Sequence, residues 1–337
     1  MRKLMAMALL TLPLPLAAQS PEEIIAAALD EHILPGYAAL TEATATLAGA
    51  AQADCAANGT DLRAAYQTAF DAWAGVAHLT FGPAETDNRF FALAFWPDPR
   101  GATPRGLSRL IAEADPVVED ANEFATVSVA SRGFYALEFL LYDETVGTAG
   151  EPAYRCALIL AVTADIDRTA RALRADWEDR FADLMRNAGT NDRFRSPEEA
   201  LRLLFTSLDQ GLEFTADLRL GRPLGTFDRP RAGLAEARRS GRSLRQVTLS
   251  LETLSELASI LATGRSEARS ELAWTFDIAL ERARTLEDPV FAGVADPQGR
   301  IRVEVLRGRI HDIRAVARTQ LGPALGVAAG FNSLDGD

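Results

Sequence analysis

Residues 153–185 read AYRCALILAVTADIDRTARALRADWEDRFADLM, thirty-three positions with no proline and no glycine. Apolar side chains fall at Leu158, Val162, Ile166, Leu173, Trp177 and Phe181, at steps of three, four and their sums. That period belongs to one face of a helix, not to the alternation of a strand. The same pattern recurs over 62–79, 127–142, 197–218, 244–262, 267–286 and 301–321, while β-branched runs are rare. The chain therefore reads as all-α, two helical bundles packed with a cleft at their interface. Ser20-Pro21-Glu22-Glu23 and Ser196-Pro197-Glu198-Glu199 each offer a serine N-cap, a proline at the first helical position and a glutamate at the third. The polar run 187–192 before the second of these suits a junction, placing an N-terminal bundle over 19–190 and a C-terminal bundle over 191–337.

The chain has 337 residues, 48% hydrophobic, enough for a sizeable core. Its 47 acidic residues outnumber 35 basic ones, a net charge of -12 that argues against a nucleic-acid backbone as partner and favours cations. No lysine follows Lys3, which removes Schiff-base and Walker-type phosphate chemistry. Residues 1–18 read as an export signal: Arg2 and Lys3 open it, an apolar stretch follows, and Ala17-Ala18 supply the cleavage site. Its removal takes two basic residues and no acid, so the mature charge is -14. No later stretch is apolar enough to span a membrane, which points to an exported protein of the periplasm or cell envelope with no transmembrane segment in the mature chain. In that oxidising compartment Cys55 and Cys156, the only cysteines, are expected to form a disulfide, two buried thiols being the alternative.

Two irregular stretches, 81–106 and 221–231, are long enough to suggest function. The basic run 238–243 either holds an anion or pairs with the acidic excess, and pairing is the commoner fate of such runs. His32, His78 and His311 are far apart and none begins a zinc-binding helix motif. No nucleophile elbow or phosphate-cradling glycine loop is present. In Gly133-Phe134-Tyr135-Ala136-Leu137-Glu138, by contrast, a tyrosine and a glutamate stand three apart on an apolar helix. A carboxylate there needs a partner, an arginine from another helix or a cation. Gly133 inside a helix implies a close approach by a neighbouring segment.

This hexapeptide resembles the Gly-x-His-x-x-Glu motif of the imelysin-like proteins, a group once filed as peptidase family M75 and connected with bacterial iron uptake. Further similar pieces are 33–37 (ILPGY), 81–84 (FGPA), 95–98 (FWPD), 236–243 (EARRSGRS) and the ending 325–337. The resemblance implies a two-bundle fold with a site near the interface, carried by Glu138, Tyr135 and Gly133 and lined by Trp96, Asp98 and Arg242. Tyr135 stands where the family has histidine. A phenolate beside a carboxylate would make a hard oxygen pair for ferric iron; alternatively the site is lost and Tyr135 packs with its hydroxyl hydrogen-bonded. Asp87, Asp98, Asp335 and Asp337, in loop or terminal segments, are candidate further oxygen ligands by hardness alone.

The function implied is binding of iron, or of an iron-bearing ligand or partner, without catalysis. A metallopeptidase-like enzyme using Glu138 as base, and a degenerate scaffold for envelope iron-transport proteins, are the alternatives.

Overall fold

The computed structural model describes residues 19–327. The expected signal segment, Asp335 and Asp337 lie outside them. Among the described residues the secondary structure is helical, with one isolated bridge between Thr226 and Arg229. We number the main helices α1 (21–53), α2 (Thr60–Ala74), α3 (Arg89–Leu93), α4 (Ala102–Glu113), α5 (Gly133–Tyr142), α6 (152–186), α7 (197–224), α8 (Ser243–Leu261), α9 (Ser266–Arg284) and α10 (297–325). Four of them contain a wide π turn, at Ala28–Ile33, Trp177–Phe181, Phe214–Leu220 and Ala317–Leu321.

Helix α6 pairs with α1 along its length, as the opening stretch demands: Leu158, Val162, Ile166, Leu173 and Trp177 are fully buried. Helices α2 and α5 complete this group, with Phe134 of α5 stacked on Phe70 of α2 at 4.8 Å between ring centres. Helices α7, α8, α9 and α10 pack on one another as the second group, and the turn over 187–196 joins the two. The first turns of α1, Pro21–Ala27, lie on α7 and α8, so the amino-terminal end of the chain is packed into the second group. Cys55, just after α1, is bonded to Cys156 in the first turns of α6, with Cα atoms 5.2 Å apart. No helix among the described residues is long and apolar enough to cross a membrane.

Several local expectations are corrected. Ser20 does form the reciprocal cap, its hydroxyl accepting from Glu23 N and the Glu23 carboxylate accepting from Ser20 N. Ser196 makes no such bond, because Glu199 turns back to Arg195 N at 2.7 Å instead. The helix expected from 127 begins at Gly133, whose φ of +72° no helix interior tolerates. A Cβ at Gly133 would lie 2.2 Å from the Leu93 carbonyl oxygen, so the glycine is explained by the end of α3 pressed against it. The stretch 81–106 is less irregular than expected, since it holds α3 and the start of α4.

Candidate functional site

Helix α5 enters the protein buried on nearly every side, and its two buried polar side chains, Tyr135 and Glu138, leave it toward different partners. The Tyr135 hydroxyl donates a short hydrogen bond to Glu236 Oε1. Glu236 Oε2 in turn accepts from Arg219 Nε at 2.6 Å. The Arg219 guanidinium also donates to Ser250 Oγ at 3.0 Å and Thr215 Oγ1 at 3.2 Å, and those two hydroxyls are 2.9 Å apart. All five side chains are buried. The π turn Phe214–Leu220 brings Arg219 into this chain, with its guanidinium 4.8 Å above the Phe214 ring. Burial first, and then the Glu236 charge, push the Tyr135 phenol well above its ordinary value. Its proton therefore stays on the oxygen that donates to Glu236.

Glu138 is placed one turn further on and has no arginine bonded directly to it. Its Oε1 accepts from Ser240 N at 2.9 Å and from Ser240 Oγ at 2.7 Å. Burial raises this carboxyl above the ordinary range, and the two serine bonds oppose that rise. Arg239, the nearest basic neighbour in the run 238–243, is paired with Asp143 and stacked on Phe139. Arg242 is fully buried and spent on Gln67, Asp71, Gln246 and the Phe70 ring. Two of the run's three arginines thus pair with acids, and Arg238 donates to the Gly233 carbonyl.

Tyr135, Glu236, Arg219 and Ser250 form the polar floor of a cavity of about 340 Å³ between the two helical groups. Its walls are Trp73, Phe90, Ala94 and Trp96 from one side and Phe214 and Leu218 from the other, with Glu213 and Asp217 also exposed to it. Trp96 and Phe214 meet edge to face, 5.7 Å between ring centres. Glu138, Gly133, Asp98, Arg242 and Asp87 are not among the lining residues. Asp98 instead caps α4 through the backbone N–H groups of Ala102 and Thr103. Gly133 serves the close approach of α3, and Asp87 is exposed on a turn.

His78 was separated from His32 by 46 residues in the sequence, yet their Nε2 atoms are 3.0 Å apart, and His78 also lines the cavity. One imidazole donates and the other accepts, which two protonated rings could not do. Burial, His32 and Arg219 hold His78 well below its ordinary value, so its ring is neutral. The turn carrying it is fixed by Ser207 Oγ bonded to His78 O at 2.8 Å and by Gly211, where a Cβ would crowd His78 Cβ at 3.2 Å.

With this geometry in hand, comparison with known proteins is direct: the imelysin family model, also labelled peptidase M75, matches residues 33–316. The chain belongs to the imelysin family. Iron-regulated protein A of Synechococcus elongatus is 24% identical over 319 residues, covering 88% of this chain and 84% of the relative. An imelysin-like protein from Psychrobacter arcticum superposes with a TM-score of 0.78 at 22% identity, over 94% of this chain and 100% of that one. A protein described as an iron-regulated protein A precursor, from Parabacteroides distasonis, gives 0.73 at 14% identity, over 90% and 96%. This imelysin therefore shares the all-α fold of those structures, and the resemblance read from its motifs is correct. Within it the motif segment holds a tyrosine and a glutamate turned to separate partners. Among its described residues no group of three His, Cys, Asp or Glu side chains is gathered as a metal site.

Proposed function

We propose that this imelysin is an exported binding protein of the bacterial iron response that holds a small organic ligand, one able to carry iron, in the cavity between its helical groups, without catalysis. The observation that carries the reading is the lining: four aromatic rings around a floor of one phenol, one carboxylate and one guanidinium. A bare ferric ion seeks several hard oxygens together. Here the Tyr135 phenol keeps its proton for Glu236, and the Glu138 oxygen is held by Ser240 away from the cavity. The arrangement does not fit direct coordination by Tyr135 and Glu138. It fits a partly aromatic molecule whose polar end meets donors and acceptors on the floor, in a space within the usual range for small-ligand sites. The names of relatives as iron-regulated support the biological setting.

The test is isolation from the native cell envelope without chelators, followed by denaturation and mass and elemental analysis of what is released. Ala77 lies on the cavity wall and is only partly buried, so Ala77→Trp is the substitution chosen to fill the space. Wild type should release an organic molecule together with iron, and Ala77→Trp neither. Equal release from both proteins, or iron without an organic molecule, would refute the proposal.

A further inference from the structure

The stretch 221–231 has no part in the aromatic cavity's floor, yet it builds a second cavity, of about 890 Å³, with three arginines on its wall: Arg222, Arg229 and Arg231. Arg222 is half-buried, whereas Arg229 and Arg231 are exposed at the mouth of the cavity. Among the described residues none of these three guanidinium groups has an ion-pair partner, and the single carboxylate on the same wall, Asp228, is bonded to none of them. Arg222 has an Nε buried without a hydrogen-bond partner, and its guanidinium is 5.6 Å from the Trp96 ring centre. Burial and the positive charge of Arg231 lower the Arg222 guanidinium from its ordinary value, the signature of like charges held close.

The scaffold under these side chains is braced. Thr226 and Arg229 exchange both backbone hydrogen bonds, and Arg231 N donates to Pro223 O at 2.9 Å. Gly225, at φ +55°, lets the turn close, since a Cβ there would lie 2.4 Å from Arg229 O. From α10, the buried Arg300 donates to the carbonyls of Leu224 and Thr226. A pre-shaped turn that concentrates unpaired guanidinium groups carries the cost of their repulsion in the free protein, and an anion bridging them relieves it.

We propose that this cavity is a binding site for a small multivalent oxyanion, a phosphate or a di- or tricarboxylate, gripped by Arg222, Arg229 and Arg231. The shared chemistry is two or more oxygens on one compact anion, which match guanidinium forks. The two cavities share no lining residue, and where they come near each other Trp96 lines the aromatic one and Arg222 the other, 5.6 Å from ring centre to guanidinium.

Isothermal titration of the full mature chain at low ionic strength and pH 7.5, with inorganic phosphate and with citrate as the two probes, tests it. Saturable binding of at least one probe is expected, weakened tenfold or more in Arg231→Gln and in Arg222→Gln. Ala77→Trp, which plugs only the aromatic cavity, should bind as wild type does, so failure here and failure of the proposed function are distinguishable. Tighter binding of phosphate assigns the site to phosphoryl groups, and tighter binding of citrate assigns it to polycarboxylates. Arg231 is exposed and makes no side-chain bond, so Arg231→Gln should melt no lower than wild type without anion and lose the anion-induced rise in melting temperature. Absence of binding by both probes, or equal binding by wild type and Arg231→Gln, overturns the proposal.

Discussion

Replacing Arg219 or Glu236 probes the floor of the aromatic cavity where its electrostatics are concentrated. The pair is 2.6 Å apart at its closest atoms, and the side chains are 6% and 2% exposed. With the charge centres about 4 Å apart and an effective dielectric near 20, their attraction is about 4 kcal/mol. Desolvation offsets part of this, so the pair adds little net stability compared with a well-packed apolar substitute. Removing one member is different, because it strands the other charge in the interior at a cost of about 3–5 kcal/mol. Arg219→Gln also takes a donor from Thr215 and Ser250, and Glu236→Gln leaves Arg219 without its anion. Each single variant should therefore lose about 3–5 kcal/mol in urea unfolding at pH 7.5. The double variant should lose clearly less than the sum, with a coupling of about 2–3 kcal/mol. Tyr135→Phe, which removes one hydrogen bond to a charged group, should cost about 1.5–3 kcal/mol. Single-variant losses below about 1 kcal/mol, or additivity within about 0.5 kcal/mol, would refute the reading of a coupled buried floor.

Three other outcomes follow from the same geometry. The Cys55–Cys156 bond closes a loop of 101 residues, so Cys55→Ser/Cys156→Ser should be less stable by about 4–5 kcal/mol in the chain-entropy account, read from denaturant midpoints. Unchanged midpoints would show that the unfolded chain is not what the bond constrains. Gly133→Ala places a Cβ against two backbone carbonyls at positive φ and should cost at least about 3 kcal/mol; a loss under about 1 kcal/mol in the same assay would contradict the close approach of α3. His78 has its value lowered in the fold, so as the pH falls below about 6.5 the unfolded chain takes up a proton that the folded ring refuses, and stability declines. This one group contributes at most about 1.4 kcal/mol per pH unit. Stability measured from pH 7.5 to 5.5 should fall less steeply in His78→Gln, and parallel curves would refute a neutral His78.

The fold was legible because helical periodicity is local. Leu158, Val162, Ile166 and Trp177 declare one face of one helix, and that face is where α1 packs. Helix starts were less legible where a backbone conformation decided them. Nothing in the residues 127–132 forbids a helix, but the left-handed Gly133 ends the 3-10 turn before it and starts α5. Likewise Ser196 carries the cap sequence of Ser20, and only the path of Glu199 decides that the cap does not form. The site was legible in part. The motif helix pointed to Tyr135, and the 95–98 stretch to Trp96. What completes the floor comes from sequence-distant turns: Arg219 from a π turn and Glu236 from the loop before α8, which heads the family-like stretch 236–243 but carries no motif of its own. His32 and His78 were set aside for their spacing, since a contact across 46 residues leaves no periodic trace. The signal that Arg219 offered was a charge one helical step from Thr215 on an otherwise apolar face.

On the proposed reading, iron reaches this protein inside a ligand held between the helical groups, not on the motif residues themselves. Crystals grown from protein isolated out of its native envelope, with diffraction recorded on both sides of the iron absorption edge, test that most directly. The expected result is an anomalous peak within the aromatic cavity, surrounded by ligand density that contacts Tyr135, Arg219 and the Trp96 ring, with Glu138 still bonded to Ser240. A peak coordinated directly by Tyr135 and Glu138, or iron bound only outside the cavity, would contradict it.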